Sequence, residues 1–184
     1  MDLYPNLEIS KNFSVKKITF IALLCSIISV IRIICAFLPG VKPLVAFIII
    51  IGCYIGPYCG VAVGVLSILV SNCFLGHGLW TIFQVVAIAI IGYLSGTLFK
   101  NRKDIPFPII CIWGGVSTFL IYNGIMTLYL LIFNERYNFS LLGFVALYFF
   151  RLFKNIAYAF STIFFLIFLS KPIGRILVNH IQKL

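Results

Sequence analysis

The sequence predicts an all-α membrane protein, a six-helix transmembrane bundle with both termini in the cytoplasm. Two observations carry that fold class. Mean hydropathy is +1.16 and only 10% of residues are charged, against roughly 25% in soluble domains. Several apolar runs also reach the ~20 residues that cross a hydrocarbon core of about 30 Å. Runs of that length must be helical, because lipid offers backbone groups no other partner. The period-two alternation of a barrel strand is absent.

The whole chain, 1–184, reads as one integral membrane domain with six spans in order. Residues 1–17 are polar and lack a small-residue cleavage site, so the first span, 18–38, is expected to be retained rather than cleaved. Spans 43–55 and 57–70 are short and meet at Gly56-Pro57, a tight-turn signal. Spans 81–99, 107–133 and 141–169 follow, and 170–184 reads as a cytoplasmic tail. The stretch SNCFLGHGLW between the third and fourth spans reads as a polar external loop.

Basic residues set the orientation. Lys11, Lys16, Lys17, Lys100, Arg102, Lys103, Lys171, Arg175 and Lys183 fall on one face, and only Lys42 and Arg136 on the other. The first face is therefore expected in the cytoplasm. Facing anionic lipid, these residues account for the +10 net charge without a nucleic-acid partner.

Three further cations lie inside spans. Arg32 falls six positions before the end of the first span, roughly 9 Å below its outer edge. Arg151 and Lys154 lie within the sixth span, followed by Asn155. A buried charge of this kind costs at least about 2.5 kcal/mol unless water or a partner meets it. No Asp or Glu lies in any span. Two readings stand: the side chains snorkel to the interface, or they line a hydrated outward cavity that an acidic ligand completes.

Small residues recur at helical spacing: Ala22 and Ser26, then Gly56, Gly60 and Gly64, then Gly92 and Gly96. Such residues let helices approach closely in a membrane, within the bundle or against another subunit. Six cysteines without metal-ligand spacing read as apolar packing residues, with no metal and no cofactor. No GxxxxGK[ST] loop is present, so any ATP hydrolysis would belong to another chain. Nor is there a serine nucleophile paired with an intramembrane histidine, and the chain is not expected to be an enzyme.

The succession Ala22, Ser26 and Arg32, then FLPGVKP at 37–43, then Gly56-Pro57-Tyr58-Cys59-Gly60, resembles the substrate-binding S components of energy-coupling factor (ECF) transporters. The likeness is strongest at Ser71-Asn72, Phe74-Leu75-Gly76, Gly78, Trp80-Thr81 and Gln84, and weak over the last third. Leu79 stands where those proteins usually carry proline. Tyr148 and Arg151 stand where they often carry Asp and His, while Asn155 matches.

The resemblance implies a plasma-membrane subunit of a bacterial cell. It would capture a vitamin from outside and work with a transmembrane coupling subunit and two ATPases. It also implies that Ala22 and Ser26 face the coupling subunit. FLPGVKP and SNCFLGHGLWTIFQ most resemble the cobalamin-type members. The candidate binding residues are Arg32, Asn72, His77, Trp80, Gln84, Arg151, Lys154 and Asn155. Their cations favour carboxylate or phosphate, and the aromatic residues suit a ring; cobalamin, haem-like tetrapyrroles and folates share both features. His77 could serve as a metal ligand or as a solvated hydrogen-bonding group. A membrane scaffold of the MreD type is the competing reading of a small basic bundle.

Overall fold

The computed structural model describes residues 15–38, 40–99, 106–133 and 141–181, and every regular element among them is helical. The helices are α1 (Val15–Cys35), α2 (Leu44–Tyr54), α3 (Pro57–Leu75) and α4 (Trp80–Phe99). They are followed by α5 (Phe107–Val116), a π-helical segment (Ser117–Tyr122) running into α6 (Asn123–Phe133), then α7 (Leu141–Phe150) and α8 (Leu152–Ile181). Five stretches are long and apolar enough to cross a membrane: Ile18–Cys35, Pro57–Leu75, Trp80–Phe99, Phe107–Phe133 and Leu152–Ser170. Large apolar side chains are exposed along these helices, from Leu23 and Ile27 to Phe164 and Phe168. This is the build of a multi-pass helical membrane protein.

The short helix α2 is the hub. Ten of its 11 residues are buried, as expected for a helix that is apolar all round. At 1.5 Å per residue it covers only about 16 Å, too little to cross a bilayer alone. It instead packs between α3, α4 and α8. Close glycine contacts hold it there. A Cβ on Gly52 would lie 2.9 Å from the Gly92 carbonyl, and one on Gly60 would lie 3.2 Å from the Gly52 Cα. The glycines of α3 and α4 that the sequence singled out thus serve packing within this chain.

Pairwise contacts fix the helix directions. Ser29 on α1 meets Ser67 on α3, and Arg32 meets Ser71, so those two helices run together. Gly60 lies against Gly92 and Asn72 against Thr81, so α3 and α4 are antiparallel. Trp113 Nε1 donates to Ser95 Oγ at 2.9 Å, while Phe83 packs on Tyr129 and Phe133, so the α5–α6 run is antiparallel to α4. Thr118 Oγ1 donates to Thr162 Oγ1 at 2.9 Å, which brings α8 back down. The ends of α1 and α3 and the starts of α2 and α4 therefore gather at one end of the bundle.

Several boundaries differ from the sequence reading. The first helix spans 15–35 rather than 18–38. The third extends to Leu75, so Ser71, Asn72 and Cys73 are helical and the connecting loop shrinks to 76–79. Its end is set by Gly76, at φ +97, a conformation a side chain would disfavour. The expected sixth span is interrupted: the chain turns at Arg151 between α7 and α8. The expected tail is helical as far as Ile181. The basic residues Lys11, Lys100, Arg102, Lys103, Arg136 and Lys183 lie outside the described residues.

Candidate functional site

Arg32 sits in the last turn of α1, where a cation also meets the negative end of the helix dipole. Its Nη1 donates to Ser71 Oγ and, at 2.7 Å, to Asn72 Oδ1; its Nη2 donates to Gln84 Oε1 at 3.1 Å. Asn72 Nδ2 donates in turn to Thr81 Oγ1 at 3.0 Å and to Gln84 Oε1 at 3.3 Å. Helical periodicity brings this about. Ser71 and Asn72 face inward at the end of α3, and Gln84 lies one turn into α4. Each bond to a charged donor contributes about 1.5–3 kcal/mol, enough together to offset the insertion cost of the guanidinium. Arg32 is thus tied into the bundle rather than snorkelling.

All of this network except Arg32 is neutral. The chain's four acidic residues, Asp2, Glu8, Asp104 and Glu135, lie outside the described residues. Among the described residues, therefore, no carboxylate meets any cation.

Beside the network opens a cavity of about 330 Å³. Arg32, Asn72 and Gln84 supply its polar wall, and Trp80 and Leu38 add apolar surface. Lys42, Tyr122 and Tyr158 also line it. Lys42 Nζ stands 4.0 Å from the Tyr158 ring centre and 5.0 Å from that of Tyr122, within reach of a cation–π attraction to each. Its backbone N–H donates to Ser161 Oγ at 2.9 Å, pinning the α1–α2 connection to α8. Gly40, at φ +84, makes the turn in that connection. In the sequence Lys42 marks the outer face and belongs to FLPGVKP, but its two tyrosine partners are remote in the chain.

The other predicted residues divide. Trp80 lines the cavity at its rim, 38% exposed, with its ring laid across Gly78. His77 is exposed and does not line the cavity; its Nε2 lies 3.6 Å from Cys73 Sγ. Neither do Arg151, Lys154 or Asn155 line it. Lys154 is exposed, its ammonium 5.9 Å from the Tyr158 ring centre. Asn155 is fully buried under α6, its carbonyl accepting from Asn123 Nδ2 at 3.4 Å. Asn155 Oδ1, Asn123 Oδ1 and Arg151 Nη1 are buried and find no hydrogen-bond partner among the described residues. Backbone bonds from Arg151 N to Leu147 O and from Asn155 N to Arg151 O carry the helix across the break at Arg151, and Asn155 meets Asn123 of α6 rather than the cavity.

Ala22 and Ser26 are exposed on α1, with Ser26 Oγ bonded to its own helix at Ala22 O, 2.9 Å away. Cys25, Cys53, Cys59 and Cys111 are buried thiols. Among the described residues no three His, Cys, Asp or Glu side chains gather where they could hold a metal. Compared with known proteins, the chain matches no family model, no curated protein and no solved structure.

Proposed function

We propose that this chain is a membrane-embedded solute-binding subunit of the ECF type, which captures an anionic micronutrient for uptake driven by partner ATPases. The observation that carries the reading is the cavity at the bundle end. There Arg32 is held by Ser71, Asn72 and Gln84, residues from the string that prompted the resemblance. A cationic, partly apolar recess with no carboxylate of its own among the described residues suits an anionic ligand with a flat apolar part. A scaffold has no use for such a recess.

In this reading the bundle makes six passes, with α2 as a short buried one, and the cavity opens to the outside of the plasma membrane. The exposed small residues Ala22 and Ser26 on α1 would contact a transmembrane coupling subunit, since small residues permit close helix approach. Two ATPase subunits would supply the energy, as the sequence has no phosphate-binding loop.

The test is co-purification. A tagged chain extracted from its native membrane should bring down a coupling subunit and two ATPases. Substituting both Ala22 and Ser26 with leucine should abolish that association while the chain still folds. Recovery of cell-wall synthesis proteins instead, with no ATPase, would favour the scaffold.

A further inference from the structure

Within the proposed binding function, on which this inference rests, we infer that Lys42 is the anion receptor of the cavity and that its ligand is a small ring-bearing carboxylate, not a macrocycle. The two cations lining the cavity are in different states. Arg32 spends both Nη1 protons and one Nη2 proton on Ser71, Asn72 and Gln84. Its plane is fixed, and its primary work is to join α1 to α3 and α4. Lys42 has no hydrogen-bond acceptor for its ammonium among the described residues; it has only the two tyrosine faces.

An ammonium held by π faces is positioned without being neutralised, since the attraction is to a quadrupole and leaves N–H donors not aimed at the rings for a stronger acceptor. It is free to meet a carboxylate. The same tyrosines supply flat apolar wall next to that charge, so a ring carrying its acid on a short arm can satisfy both at once. Fixing the Lys42 backbone through Ser161 lowers the entropy lost when the side chain engages a ligand.

Size narrows the class. About 330 Å³ lies at the bottom of the roughly 300–1,000 Å³ span of small-molecule pockets. One or two fused rings with a short acidic chain fit within it. A corrin or porphyrin with its peripheral arms would have to project well beyond it. The ligand class implied by charge and volume therefore departs from the cobalamin-like likeness of the sequence.

The experiment is a two-by-two titration by calorimetry on the purified full chain in lipid nanodiscs. Probes are biotin and nicotinate with their neutral amides, biotinamide and nicotinamide, and dicyanocobinamide as the macrocycle. Wild type is expected to bind one of the acids and to bind its amide tenfold to a hundredfold more weakly, the range for losing one charged hydrogen bond. Lys42→Met should bind acid and amide alike, at the wild-type amide level, whereas Lys42→Arg should restore the preference for the acid. Equal weakening of acid and amide in Lys42→Met would make Lys42 merely structural and overturn the assignment. Binding of dicyanocobinamide, or of no probe, would overturn the ligand class. Co-purification with ATPases would stand apart from all three results, so the transport reading fails or survives on its own. Thermal unfolding of each variant separates loss of ligand from loss of fold.

Discussion

At the scale of single residues, the network around Arg32 makes Gln84 the most informative position. Its Oε1 accepts from both Arg32 Nη2 and Asn72 Nδ2. Gln84→Leu keeps the volume but leaves two donors short of an acceptor, one of them charged. An unmet group of this kind costs about 1–3 kcal/mol, so Gln84→Leu should lower the unfolding temperature clearly in detergent. Gln84→Glu should do the reverse, because a carboxylate beside the guanidinium adds an ion pair, and it should weaken anion binding by placing a negative charge in the cavity wall. Unchanged unfolding in Gln84→Leu would mean the network carries no stability. These residues were legible in the sequence because Ser71, Asn72 and Gln84 are polar in an apolar context and carry the resemblance. Lys42 was not, because its partners Tyr122 and Tyr158 come to it only through the fold.

At the scale of elements, stability rests on close helix approach, since lipid tails remove the hydrophobic drive for helices to associate. The contact of α4 with the start of α3 is a close backbone-to-backbone approach. A Cβ on Gly96 would fall on the backbone of Pro57, which cannot rotate aside as a side chain can. Gly96→Ala should therefore push the helices apart, at about 1–3 kcal/mol for overpacking. Gly124→Ala, where a Cβ meets nothing within 4 Å, should instead stabilise by roughly 0.5–1 kcal/mol through helix propensity. Thermal unfolding of the two variants side by side tests this, and matching shifts would refute the packing argument. The glycine spacing made this interface legible. Two other features were harder to read. The π segment at Ser117–Tyr122 is flanked by Gly114-Gly115 and Asn123-Gly124, which mark no helix end in a stretch this apolar, and the break at Arg151 has no adjacent Gly or Pro to announce it. Tyr148 of α7 donates its hydroxyl to the Phe119 carbonyl inside the π segment, a contact between α7 and the π segment that only the fold brings about.

At the scale of the whole molecule, the open question is which end of the bundle faces outward. Apolar length and low charge make the membrane class legible, and α2 owes its apolar composition to burial within the bundle rather than to lipid contact. The basic residues that bear on orientation lie mostly outside the described residues, and a readout at the cavity end itself decides it. Cys73 provides one. It is exposed near the end of α3, Cys35 is half-buried where it lines the cavity, and the other four cysteines are buried. Thiols in those settings differ in access to reagent. A membrane-impermeant maleimide added to intact cells should therefore mark Cys73 first, and Cys73→Ser should remove most of the label. Mass spectrometry of the purified chain reads the site directly. Labelling that appears only after the cells are permeabilised would put the cavity on the cytoplasmic side, and a capture subunit that opens inward could not serve uptake from outside.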